Sequence, residues 1–134
     1  MPVLAELRRV CCVHGNLIIE DLIVSELAPR AAYQNRFEHL RDASHTSALS
    51  LSDLLSIVTR ANFEVEVTLS DDLLPDIEQW LANAKTPTEQ ARVVRQMIDQ
   101  DRLRDLSGTR PFIDEQGCVR FHQRTALIRG RKLP

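Results

Sequence analysis

The sequence predicts an α/β fold in a single domain spanning 1–134, and three observations carry that reading. The run Asn16–Val24 (NLIIEDLIV) holds two charges, Glu20 and Asp21, and is otherwise dominated by Leu, Ile and Val. A continuous apolar run of this length, opened by Gly15, suits a strand covered on both faces, and therefore an interior strand. Apolar residues then recur at helical spacing, first Tyr33, Phe37 and Leu40, then Leu51, Leu54, Leu55 and Val58. Next, Phe63, Val65, Val67 and Leu69 alternate with Glu64, Glu66 and Thr68, the period of a half-exposed strand. In open α/β sheets the ligand crevice lies outside the carboxyl ends of the strands. Glu20 and Asp21 lie towards that end of the first strand.

Taken in order, Val3, Leu7, Val10 and Cys11 share a face of a first helix over residues 3–12. A tight turn at His14-Gly15 leads from it into the strand. Pro29 is placed to open a second helix, which runs to about Arg41. Ser50 and Asp53 start the third helix as a capping-box-like pair, and Asn62 is its left-handed stop. Ile77, Trp80, Leu81 and Ala84 define a fourth helix. Thr86-Pro87-Thr88-Glu89 reads as a capping box with Pro at the first helical position. The helix it opens buries Val93, Val94, Met97 and Ile98 and stops at Ser107-Gly108. One strand from Cys118 to about Arg129 closes the fold, and the final RGRKLP reads as a frayed basic end.

Composition excludes several classes of function. With 43% hydrophobic and 27% charged residues, the chain matches an ordinary soluble globular domain. A net charge of −2 argues against nucleic-acid binding through bulk electrostatics. The basic stripe Arg120, Arg124, Arg129, Arg131 and Lys132 reads as a solvated strand edge and tail. No apolar run approaches a membrane span. The start MPVLAELRR lacks the basic and apolar regions of a signal peptide, so a cytoplasmic location is expected. Cys11 and Cys12 are adjacent and Cys118 stands apart, which suggests reduced thiols. Cys11, Cys12 and His14 lack metal-ligand spacing, and the two cysteines read as core residues at a helix end.

Two segments carry a family resemblance. LAELRRVCCVHGNLIIEDLI resembles the part of class I S-adenosylmethionine-dependent methyltransferases in which a helix ending R-V-x-x-P-G-G leads into the fifth strand. Arg9, Val10 and Gly15 match, while Val13 and His14 stand where that family has Pro and Gly. HLRDASHTSALSLSDLLSIVTRANFEVE resembles the UbiE-like branch of ubiquinone and menaquinone biosynthesis, with Ala43 replacing the Pro of its L-R-D-P-S-H motif. The resemblance covers nearly all of this chain but only the C-terminal, substrate-side half of the family's domain. It implies a partial Rossmann-like methyltransferase sheet made of the family's last three strands. The final strand would be inserted antiparallel next to the first, and helices would pack on the sheet. The implied reaction is methyl transfer from S-adenosylmethionine to a small acceptor, quinone-like or otherwise aromatic.

That family holds its cofactor with a Gly-rich loop after its first strand and an acidic residue after its second. Here the four glycines, at 15, 108, 117 and 130, never fall in a G-x-G spacing. The chain alone is therefore expected to bind no S-adenosylmethionine and to be inactive by itself.

By the resemblance, the loop after the second helix faces the substrate. Its His45 and Asp42 are the candidate catalytic residues, since a histidine ionising near neutrality can deprotonate a substrate carbon or hydroxyl. Arg41, Ser44 and Asp21 are the candidate substrate-binding residues. The plainer role is local capping, with Asp42 and Ser44 bonding loop backbone and His45 packed beside them. Adjacent strand residues point to opposite faces, so only one of Glu20 and Asp21 can face a given site.

An interior-type strand preceded by one short helix leaves an apolar edge. The expected partner is a second copy in a homodimer, or a separate N-terminal methyltransferase half, joined along Asn16–Val24 or the first helix. The alternative is a non-catalytic oligomerising interaction module. Neither a nucleic-acid nor a membrane partner is expected.

Overall fold

The computed structural model describes residues 2–134; Met1 lies outside them. In chain order the elements are α1 (Pro2–Val10), β1 (Asn16–Val24), α2 (Ala28–Arg41), β2 (Leu49–Ser50), α3 (Leu51–Arg60) and β3 (Phe63–Leu73). They continue with α4 (Ile77–Asn83), α5 (Thr88–Arg104), β4 (Phe112–Ile113), β5 (Val119–Arg120) and β6 (Gln123–Lys132). The main sheet has the order β2-β1-β6-β3. The short β2 runs parallel to β1, and β6 is antiparallel to both β1 and β3. The α/β class and the last strand inserted antiparallel beside the first are thus both present. β4 and β5 form a separate two-stranded ribbon.

Local chemistry explains most boundaries. Ser50 Oγ accepts from the Asp53 amide at 3.2 Å and caps α3, while Asn62 leaves it at φ 64°. Asp76 caps α4 by accepting from the amides of Glu78 and Gln79 at 2.8 and 3.2 Å. The expected capping box at Thr86–Glu89 does not form. Pro87 occupies the cap position without a side-chain bond, and the Thr86 hydroxyl instead donates to the Arg41 carbonyl at 2.8 Å.

Three further expectations are corrected. The closing strand is broken at Phe121-His122: β5 pairs with β4, and the chain then turns into β6. Burial of Phe121 and a bond from the His122 amide to the Thr109 carbonyl at 2.8 Å bend it there. The tail is tied down, because Lys132 Nζ donates to the carbonyls of Arg8 and Cys11, both at 2.7 Å. Those carbonyls end α1 and lack helical partners, so the cation is well matched to them. Finally, α1 buries Leu4, while Val3 and Val10 of the expected face are exposed.

Two hydrophobic clusters hold the fold. In the first, Phe37 of α2, Trp80 of α4 and Phe121 meet edge to face, with ring centroids 5.0–6.1 Å apart, over Val94, Met97 and Ile98 of α5. In the second, Leu54 of α3 packs on Ile23, Ala126 and Ile128 of the sheet.

The opposite face of the sheet is different. Register places Ile18 opposite Arg129, and Leu69 opposite Leu127, on that side. Ile18 is 64% and Leu69 60% exposed. β1 is therefore not the doubly covered strand expected; only Ile23 and Val24 are buried, because α3 covers one face alone.

Candidate functional site

A cleft of about 430 Å³ opens at the carboxyl end of β1. This is where an α/β sheet places its ligand crevice. Ile23, Val24 and Leu51 give it an apolar wall. Arg30 and Gln34 of α2 form a second wall, and the loop Ser107-Gly108-Thr109 a third. Asp72, His122 and Arg124, from the ends of β3 and β6, complete it.

The loop wall is built rigidly. Buried Asp101 of α5 accepts from the Ser107 amide at 2.7 Å, from Thr109 Oγ1 at 3.1 Å and from the Ser107 hydroxyl. The Thr109 amide in turn donates to Ser107 Oγ at 3.0 Å. Asp105 in the left-handed region ends α5, and Arg30 grips its carboxylate with both guanidinium nitrogens, at 3.0 and 3.3 Å. Gly108 has φ 79°, and a Cβ there would stand 3.1 Å from Arg30 Nη1. Glycine thus serves both the turn and the close approach of the arginine.

Below the cleft, Gln34 and Glu38 are one turn apart on α2 and both are buried. Glu38 accepts from Gln123 Nε2 at 2.9 Å. Burial pushes the Glu38 carboxyl above its ordinary range, with Gln123 and Arg41 pulling the other way. The Gln34 amide also favours the Glu38 anion from nearby, yet its Nε2 completes no hydrogen bond.

At the cleft's far side Asp72 organises Arg124 and His122. Arg124 Nε donates to its Oδ1 at 3.1 Å, and His122 Nδ1 stands 3.3 Å from its Oδ2. The Arg124 bond holds the Asp72 carboxyl below the usual range, with His122 adding to the effect. The His122 ring also lies beside Phe112, centroids 5.5 Å apart and the planes tilted by 42°.

The residues expected from sequence lie outside this cleft. Asp42 accepts from the amide and hydroxyl of Ser44 at 2.9 and 2.7 Å, which closes a local turn and holds its pKa low. His45 Nε2 is 3.2 Å from Asn35 Oδ1, an oxygen that also accepts from the Ala48 amide at 2.7 Å. Burial lowers the His45 pKa and nearby His39 adds to this, while the Asp42 and Asp21 carboxylates oppose. Asp42, Ser44, His45 and Asp21 are therefore neighbours. Arg41 turns away: its Nε donates to the Trp80 carbonyl at 3.0 Å, and its guanidinium lies 4.5 Å over the Trp80 ring. Asp21 Oδ1 accepts from the Leu22 amide at 2.8 Å.

Sequence reading passed over Asp72 and His122 and filed Arg124 under a solvated stripe. The available signal was antiparallel pairing, which sets Asp72 directly opposite Arg124. The other arginines of that stripe are also paired, Arg120 with Asp114 at 2.6 Å and Arg129 and Arg131 with Glu66 at 3.3 and 3.9 Å. Among the described residues no group of three His, Cys, Asp or Glu could hold a metal ion, and no helix is long and apolar enough to cross a membrane.

No protein-family model matches the chain. The chain is 27% identical over 92 residues to the uncharacterized protein YafE of Escherichia coli K12, a stretch covering 69% of this chain and 44% of YafE. It is similar in structure to BH2331 of Bacillus halodurans C-125, described as a "putative methyltransferase". The TM-score is 0.88 at 23% identity, over 98% of this chain and 57% of BH2331. It is also similar to the YcgJ protein of Bacillus subtilis, with a TM-score of 0.86 at 21% identity, over 98% of this chain and 56% of YcgJ. The chain therefore shares the fold of both, and spans less than half of YafE and little more than half of the two structures.

S-adenosylmethionine, implied by the family resemblance, calls for a glycine cradle between a parallel strand and a helix. The glycines of this structure are placed otherwise. Gly15 closes the α1–β1 turn, Gly117 the β4–β5 turn, Gly130 lies inside β6 against Phe63, and Gly108 is in the loop after α5. The described residues do not fit that cofactor.

Proposed function

We propose that the chain is the acceptor-side half of a methyl-transferring protein of the UbiE-like type, with S-adenosylmethionine held by a partner segment. The observation that carries this is the built cleft at the carboxyl end of β1, in a fold shared with BH2331. Within this proposal the acceptor, a small quinone-like or other aromatic molecule, lies against Ile23, Val24 and Leu51.

The partner segment adds to β1. β2 pairs only with Ile23 and Val24, which leaves the edge from Asn16 to Leu22 open. β3, at the other end of the sheet, guards its edge with Glu64, Glu66, Asp71 and Asp72, whereas the β1 edge offers Leu17, Ile18 and Ile19. Two occupants of this edge are in the proposal, a separate N-terminal methyltransferase half and a second copy of the chain.

Calorimetry tests the division of labour. The chain alone should give no saturable heat with S-adenosylmethionine. The chain mixed with a separately expressed N-terminal methyltransferase half should give it. Micromolar binding by the chain alone, about −8 kcal/mol, would overturn the reading.

Two other readings rest on particular observations. His45 can instead serve as the base, with Asp42 beside it and Ser44, Asp21 and Arg41 binding substrate, since burial lowers its pKa and keeps the ring neutral while Asp42 and Asp21 lie close by. His45→Ala would then cost turnover in the reconstituted protein without equal loss of stability. The exposed Ile18–Leu69 face favours a non-catalytic oligomerising module, and self-association of a chain that binds no acceptor would support it.

A further inference from the structure

We infer that Cys11 and Cys12 form a redox modification site. A hydroperoxide closes them into a vicinal disulfide, and closure releases the clamp that Lys132 places on the end of α1. The pair lies at the amino end of β1, apart from the residues that line the cleft.

The turn from α1 into β1 brings the two thiols together. α1 ends at Val10, and the Cys11 amide still donates to the Leu7 carbonyl at 3.0 Å. The Gly15 amide then returns to the Cys12 carbonyl at 2.9 Å, with His14 between them at a left-handed φ of 64°. Inside this turn both sulfurs lean on Gly15. A Cβ added there would stand 2.8 Å from Cys11 Sγ and 3.0 Å from Cys12 Sγ. Any larger residue would occupy the space on which the sulfurs converge, so glycine leaves them free to meet. Both are free thiols; Cys12 is exposed and Cys11 half-buried, so a small oxidant reaches the pair.

The chemistry balances with one hydroperoxide. Cys12, the more exposed thiol, attacks the peroxide: an S–O bond forms, the O–O bond breaks, and water or an alcohol leaves. Cys11 then attacks the sulfenic sulfur: the S–S bond forms, the S–O bond breaks, and water leaves. Each sulfur gives up one electron and the peroxide takes both. The product is a reversible mark rather than a structural staple. Successive Cα atoms stand about 3.8 Å apart, below the roughly 4.4 Å at which ordinary disulfides begin. A bond closed across that short span is strained and readily reduced.

Closure has one mechanical target. The ring that a vicinal disulfide completes contains the Cys11–Cys12 peptide, so that peptide plane turns and the Cys11 carbonyl turns with it. This carbonyl is one of the two that Lys132 Nζ holds, both at 2.7 Å. The Lys132 backbone also pairs with the turn, accepting from the His14 amide at 3.0 Å and donating to the Gly15 carbonyl at 2.9 Å. Oxidation therefore removes the side-chain half of the attachment and leaves the backbone half. α1 loosens while the sheet stays intact.

The test uses the full chain and hydrogen peroxide. One equivalent should remove the mass of two hydrogens and leave Cys118 as the only thiol open to alkylation, until dithiothreitol restores the other two. In Cys11→Ser the reaction should stop at a sulfenic acid on Cys12, trapped by dimedone. Cys118→Ser should close as the wild type does. Phenylarsine oxide, which needs two neighbouring thiols, should bind the reduced wild type one to one and fail to bind Cys11→Ser or Cys12→Ser. The oxidised chain should unfold about 4 °C below the reduced one. Lys132→Met already lacks the clamp and should lose most of that difference. A treated chain that keeps all its thiols, that proceeds only to sulfinic acid, or that links Cys11 or Cys12 to another copy would overturn the site. An unchanged Tm on closure would overturn the release of Lys132.

Discussion

The aromatic cluster and the open sheet face are both made of large apolar side chains, but they are in opposite physical states. Phe37, Trp80 and Phe121 are buried and meet in edge-to-face pairs from α2, α4 and the β5–β6 bend. Ile18 and Leu69 have comparable hydrophobicity and stand mostly in solvent. Composition does not distinguish them. What distinguishes them is whether the chain supplies a second layer. Helices α2, α4 and α5 enclose the first group, and α3 covers only the far side of the sheet from the second. One region is covered within the chain, and the other is left in solvent.

The largest effect should come from cutting into the covered region. Phe37→Ala should cost about 3–5 kcal/mol, because it removes a buried ring paired edge to face with Tyr33, Trp80 and Phe121. Urea unfolding followed by Trp80 fluorescence measures it, and a loss below about 1 kcal/mol would mean the cluster is not the stabilising unit.

Glu38 beside that cluster gives a subtler contrast. Its pKa is raised by burial, so the unfolded chain releases the proton first as pH rises. Glu38 therefore adds most stability below the unfolded pKa, and native stability falls as pH climbs from there through the folded value. Glu38→Gln retains an acceptor for Gln123 and removes the titration. Its advantage in Tm over wild type should be small near about pH 4 and grow towards about pH 7. A pH-independent difference would locate the effect elsewhere.

The smallest change in folding stability is expected on the open face. Ile18→Lys should alter unfolding by no more than about 0.5 kcal/mol, as for other exposed positions. The same substitution should weaken self-association, or association with an N-terminal half, as measured by light scattering. An assembly that tolerates it would have its contact away from the β1 edge.

The sequence made the elements legible where local chemistry decides them. β1 spans the apolar run Asn16–Val24, Ser50 and Asn62 delimit α3, and Pro29 lies in the first turn of α2. It failed where a distant partner decides. Thr86 is taken by Arg41, Lys132 by the end of α1, and β3 continues past Leu69 because β6 pairs with it as far as Leu73. The cleft was illegible for the same reason. Asp72, His122 and Arg30 are far apart in sequence, and only the sheet register and the loop after α5 bring them to one opening. His45 drew attention through a contiguous motif, and contiguity is what a turn also requires.

The bend at Phe121-His122 has one more consequence. Two neighbouring residues serve different masters, since Phe121 is wedged into the aromatic cluster and its successor enters the cleft. A displacement of the buried ring is carried along one peptide unit to the imidazole, as by a short lever. Tolerance for error in the cleft is therefore set by the tightness of packing behind it. A substitution that loosens Trp80 or Val94 should shift the imidazole at the cleft while the fold still stands, and crowding the same pocket should re-aim the ring without any change among the other residues that line the opening.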